Sequence, residues 1–122
     1  MREPHDVPLS RQALNVLKTV WPLNEEHELV FPSLRSHKKP LSENAFNSVL
    51  RNMGYPQDKA TAHGFRATFR TWAEEVTGFP HAVIEEAMGH QVGNHVERAY
   101  RRTDVLEKRR ELMAAWADCC EP

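Results

Sequence analysis

Three short segments in the second half of the chain carry side chains that can do chemistry together: His63-Gly64-Phe65-Arg66, Met88-Gly89-His90 and Tyr100. They offer two imidazoles, a guanidinium and a phenol, a set suited to cutting and rejoining a phosphodiester. That bond carries a negative charge that repels nucleophiles, and in-line attack adds charge to the equatorial oxygens. Arg66 can meet this charge, because a guanidinium stays protonated and its planar fork matches two phosphate oxygens. A tyrosine hydroxyl, with a pKa of about 10, is a weak nucleophile until a base takes its proton. Either His63 or His90 can be that base, and the other can hydrogen-bond a non-bridging oxygen. A covalent phosphotyrosine would conserve the energy of the broken bond, so rejoining would require no cofactor.

The elements that must position these groups are short and punctuated by proline and glycine. Ser10 can cap a helix carrying Leu14, Leu17 and Trp21 on one stripe, which Pro22 is expected to stop. Val7-Pro8-Leu9 and Leu29-Val30-Phe31-Pro32 read as short extended runs, the second suited only to an edge, and 33–40 reads as a loop. Ser42 is expected to cap a helix with Phe46, Val49, Leu50 and Met53 at helical spacing, ending at a left-handed Gly54. Thr61 opens the next, where Phe65, Phe69, Trp72 and Val76 define a stripe predicted to be buried. His63 and Arg66 lie off that stripe and, three apart, share a face at the helix start, where backbone N–H groups favour an anion. Pro80 suits the start of a further helix with Val83, Ile84, Ala87 and Met88, which exits at Gly89 just before His90. Asn94 can cap a helix holding Val96 and Ala99 ahead of Tyr100. Asp104 with Glu107 resembles a capping box for a final helix with Val105, Arg109, Leu112 and Trp116. The pattern predicts a mainly α fold, a compact bundle of about five to six short helices with at most a small edge β-hairpin.

Composition narrows the function classes. The chain has 122 residues, about one small domain, with 40% hydrophobic and 27% charged residues, as in ordinary soluble globular proteins. No apolar run approaches the roughly 18 residues of a membrane span, and the first ten residues do not resemble a secretory signal, so a cytoplasmic location without a membrane partner is expected. Cys119 and Cys120 are adjacent and read as reduced surface thiols. The net charge of −1 argues against coating nucleic acid by bulk electrostatics. Locally, however, 98–110 holds six basic residues against Asp104 and Glu107, which gives either a solvated helix face or a surface for phosphates.

Each chemical residue also has an ordinary explanation. A histidine near a helix start can be a cap, a glycine before His90 an everyday C-cap, and Tyr100 a packing aromatic. His5, His27, His37, His81 and His95 read as incidental. A metal centre would need better spacing than His90 with His95 or His81 with His90 offers, so no metal is expected. No Gly-x-Ser-x-Gly elbow points to a serine hydrolase.

Taken in order, the segments resemble the C-terminal part of the catalytic domain of the tyrosine recombinases, and more narrowly of the integrases of prophages and genomic islands. The matching residues are Ala62-His63-Gly64-Phe65-Arg66-Ala67-Thr68 for the family's His-x-x-Arg box, Met88-Gly89-His90 for its [Leu/Met]-Gly-His box, and Val96-Glu97-Arg98-Ala99-Tyr100 around the nucleophile. His5-Asp6-Val7-Pro8-Leu9-Ser10 and Val30-Phe31-Pro32-Ser33 also resemble this branch. The resemblance implies that Tyr100 attacks the scissile phosphate to form a 3′-phosphotyrosyl link, Arg66 neutralises the phosphate, His63 assists proton transfer and His90 hydrogen-bonds a phosphate oxygen. It implies double-stranded DNA at an attachment site as partner, and self-association in a synaptic complex through the final helix, Val105 to Trp116. The family's second arginine and general-acid lysine have no match. The lysine would fall about where the chain begins, so a single domain over 1–122 cut from a larger integrase is expected, without the arm-binding and core-binding domains. Each missing group commonly supplies ~10² or more, so the isolated chain is expected to be inactive. The alternative is a decayed remnant that only binds DNA or a partner; a metal-dependent hydrolase is the third reading.

Overall fold

The computed structural model describes residues 4–121, with the side chains of Tyr100 and Arg101 outside the described set. The described residues form five helices: α1 (Arg11–Asn24), α2 (Ala45–Asn52), α3 (Ala62–Val76), α4 (His81–Ala87) and α5 (His95–Cys120). The mainly α expectation holds, with strand pairing among the described residues limited to an antiparallel bridge between Pro32 and Pro40. Among the described residues no helix is long and apolar enough to cross a membrane. The chain divides into two compact units, Leu14–Arg66 and Met1–Ala13 with Ala67–Pro122.

The second of these has an apolar core. Phe69 and Ala73 of α3, Val83 and Ile84 of α4, Met88 and Leu112 of α5 are buried together, with Trp72, Phe79, Met113 and Trp116 packed against them. Trp116 meets Phe69 edge-on at 5.4 Å and lies 5.0 Å from Trp72, favourable aromatic geometry that fills the centre. The repeat Val105, Arg109, Leu112, Trp116 does turn one face of α5 inward. The Leu14–Arg66 unit is held largely by polar braces. Arg51 donates to the carbonyls of Tyr55 and Ala60 at 2.7 and 2.8 Å, and Asn24 donates to that of Val30 at 3.0 Å.

Several local expectations are corrected. α1 runs two residues past Pro22 to Asn24; a proline near a helix end removes only one backbone bond and has a helix-compatible φ. α2 begins at Ala45 without a side-chain cap, Ser42 contributing only its carbonyl to the N–H of Ala45 at 3.1 Å. The predicted α3 stripe is buried only in its middle: Phe65 is 53% and Val76 70% exposed, and Ala73 takes the central place. The seven residues of α4 span only about two turns and cannot cover more. The two expected C-terminal helices are one helix of 26 residues. Asn94 accepts from the N–H of Glu97 at 2.9 Å and Glu97 reaches back to the N–H of Asn94 at 3.1 Å, and with no Gly or Pro inside, propagation past Asp104 is easy. The Asp104–Glu107 pair therefore caps nothing.

Replacing fully buried Leu112 by alanine is expected to cost about 2–5 kcal/mol through lost burial and a cavity, whereas Asn94→Ala removes only the cap, about 1 kcal/mol. Denaturant unfolding of the two variants should rank them in that order.

Candidate active site

The start of α3 is fixed by side chains before it meets any ligand. Asn47 Oδ1 accepts from the N–H of Ala62 at 2.9 Å, and Thr61 Oγ1 from that of Gly64 at 2.8 Å. Two of the N–H groups expected to favour an anion are thus already engaged, which corrects the sequence reading. What the first turn offers outward is the pair His63 and Arg66, both exposed. Gly64 between them is close-packed: a Cβ there would stand 2.9 Å from Thr61 Oγ1.

His90 is positioned by a turn and a carboxylate. Gly89, with φ of 79°, takes the left-handed exit from α4 that side chains disfavour. The chain then folds back so that the N–H of His90 donates to the carbonyl of Glu85 at 2.9 Å. On the same side, His90 Nδ1 lies 2.7 Å from Glu85 Oε2, while Glu85 Oε1 pairs with Arg70 Nη2 at 2.7 Å. The carboxylate fixes a proton on Nδ1 and so makes Nε2 the nitrogen that points away from Glu85. The hydrogen bond from His90 holds the Glu85 carboxyl below its ordinary range; partial burial opposes this and the charge of Arg70 reinforces it. Neither Arg70 nor Glu85 stood out in the sequence as part of a site, although the five-residue step from Glu85 to His90 across Gly89 was a usable signal.

His90 opens onto a cleft of about 350 Å³ whose other walls include His5, Arg98, Ala99, Arg102 and Arg109. Arg109 is only 7% exposed. Its Nη2 donates to the carbonyl of Asp6 at 2.6 Å and lies 3.3 Å from His5 Nε2. Burial pushes its pKa down, against the opposing pull of Glu86 and Asp6. Arg109 is thus a buried member of the 98–110 basic run, and His5 is among its contacts. Ala99 lines the cleft immediately before Tyr100, whose backbone continues α5 and whose side chain lies outside the described residues. His90 and α5 belong to one compact unit, His63 and Arg66 to the other.

One group of potential metal ligands comes together among the described residues: Glu74, His81 and Glu85, within 4.8 Å of one another. His81 Nδ1 lies 2.6 Å from Glu74 Oε1, and both Glu85 oxygens already face Arg70 and His90, so these residues form a charge network. Cys119 and Cys120 are free and exposed.

A family model described as phage integrase family matches residues 1–107. The chain therefore belongs to the phage integrase family of tyrosine recombinases. It is 40% identical over 118 residues to the prophage integrase IntA of Escherichia coli K12, covering 97% of this chain and 28% of that protein. It is 39% identical to the integrase of Enterobacteria phage P4, over 97% of this chain and 27% of the relative, and 36% identical to that of Shigella phage Sf6, over 96% and 30%. The chain thus spans under a third of the length of the curated relatives it matches. No solved structure gives a significant match.

Because the folded-state pKa of Glu85 is depressed, its ionised form adds stability at neutral pH that is lost as pH falls from the ordinary carboxyl value through the lowered one. Glu85→Gln is expected to be less stable than the parent at neutral pH and to lose less on acidification, as measured by urea unfolding across that range.

Proposed function

We propose that the recombinase containing these residues cuts and rejoins double-stranded DNA at an attachment site through a 3′-phosphotyrosyl intermediate. The observation that carries this reading is the placing of His90, braced by Glu85, in a cation-lined cleft whose α5 wall, with Arg98, Ala99 and Arg102, lies to either side of Tyr100 in the sequence. The Tyr100 oxygen attacks phosphorus as its proton passes to a base, and the bond to the 5′-oxygen breaks, that oxygen leaving as a hydroxyl. Attack by a 5′-hydroxyl reverses the step and frees the tyrosine, so the bond energy stays in the covalent link. Arg66 meets the growing negative charge, His63 moves the proton, and His90, when it carries a proton on both ring nitrogens, donates from Nε2 to a non-bridging oxygen on the side away from Glu85. An ionised carboxylate behind the imidazole supports that donor role by keeping the ring oriented.

Self-association in a synaptic complex through α5 belongs to the same proposal. Val105 and Leu112 are buried within their own unit, so a neighbouring protomer would meet the outward face of the helix. The second reading, DNA binding without strand cleavage, is favoured by the cleft itself, which needs no nucleophile to attract a phosphate.

With the intact recombinase and a nicked suicide substrate bearing its attachment site, the parent should form a covalent protein–DNA adduct and Tyr100→Phe none. Arg66→Ala should slow adduct formation by ~10² or more. An adduct persisting in Tyr100→Phe would refute the nucleophile assignment, and salt-dependent binding with no nicking by the parent would establish the binding-only reading.

A further inference from the structure

The cleft beside His90 contains more positive charge than the four family positions account for. Arg98 and Arg102 lie one turn apart on α5 and share its cleft face, and Arg109, two turns further on, lies beneath them. Arg109 is more than nine-tenths buried, yet its guanidinium contacts a carbonyl oxygen and an imidazole nitrogen rather than a carboxylate. Its Nε has no hydrogen-bond partner. The acidic groups that face it, Asp6 and Glu86, also line the cleft. Asp6 Oδ2 approaches Arg102 Nη2 only at 3.8 Å, with both side chains largely in solvent. A buried cation without a directly paired anion is costly to keep, and a ligand that brings the negative charge recovers that cost.

The geometry points to a phosphate subsite here, in which Arg98 and Arg102 receive a backbone phosphate of bound DNA while Arg109 supplies buried positive charge and holds His5 in place over Gly89. It rests on the recombinase reading for the identity of the ligand but uses residues that reading leaves idle. Arg109 is a positioning residue in this arrangement. Its Nη2 hydrogen makes His5 Nε2 an acceptor and so puts the proton of His5 on Nδ1. His5 Nε2 lies 3.9 Å from where a Cβ on Gly89 would stand, so the same contact also bounds the turn that presents His90.

The test uses the 122-residue chain and no strand cleavage. The imidazole resonances of its histidines are followed by NMR during titration with inorganic phosphate, with chloride at equal ionic strength as control, and then with a short DNA duplex. Phosphate is expected to shift His5 and His90 saturably, chloride not, and the duplex to move the same two resonances. Exposed Arg102→Gln should weaken both titrations about tenfold or more, and Arg109→Lys, which keeps the charge and loses the fork, should move His5 even before ligand is added. Should Arg109→Lys fail to fold, Arg102→Gln and His5→Gln carry the test. A His5 resonance indifferent to phosphate, or Arg102→Gln titrating like the parent, overturns the subsite. A response to phosphate but none to duplex overturns its assignment to DNA. An adduct in Tyr100→Phe would overturn the nucleophile and leave these titrations as they are.

Discussion

The Glu85 carboxylate is where the apolar core and the chemical groups of its unit meet. Its neighbour Ile84 is fully buried, which sets Glu85 at the rim of the core with little freedom. One oxygen is then held by Arg70 from α3 and the other by His90 from the turn after α4. α3, α4 and the turn after α4 are thereby tied at one point, and the imidazole takes its orientation both from its turn and from a carboxylate set by the packing of Ile84. Such partly buried ionic ties add little net stability compared with apolar packing. Their usual contribution is to select one geometry. Here the selected geometry is that of a ring whose outward nitrogen faces a cleft lined with arginines.

The two compact units are built on different principles. Around Trp116, the Ala67–Pro122 part excludes water with interlocked aromatics and aliphatics. Within Leu14–Arg66, side-chain amides and a guanidinium hold backbone groups directly, while Phe46 and Val49 of α2 and Met53 just after it remain more than half exposed. The N-terminus of α3 is set by this second kind of construction. Asn47 and Thr61 take up its early donors, so the direction of His63 and Arg66 is inherited from hydrogen bonds of specific length. A polar frame of this sort tolerates little change in side-chain length at Asn47.

Much of this was legible in the residues because the signals are local. The Asn94 cap, the left-handed exits at Gly54 and Gly89, the hydroxyls of Ser10 and Thr61 at helix starts, and the inward face of α5 each depend on a few neighbouring positions, and each is present. Signals failed where a longer-range effect won. The Asp104–Glu107 pair looked like a helix start, but a helix already nucleated at Asn94 runs through it. Phe65 and Val76 have core spacing, but exposure depends on what lies opposite, which α3 alone does not encode. The site divides in the same way. His63, Arg66, His90 and Tyr100 fall in short family boxes, whereas His5 and Arg109 stand 104 residues apart and only the folded chain brings them together. Arg109 belongs both to the basic run and to the Val105, Leu112, Trp116 stripe, and its burial follows the stripe.

The unbroken length of α5 also has a mechanical meaning. From Leu112, anchored in the core, back to residue 100 is twelve residues, or roughly 18 Å of stiff rod at ~1.5 Å per residue. Near its far end the helix is tethered by Gln12 Nε2, which donates to Asp118 Oδ1 at 2.7 Å. Val105, Arg109 and Leu112 are all buried along that length, so the rod is clamped at several points and the backbone at residue 100 is carried at a fixed reach from the core by the stiffness of the helix itself.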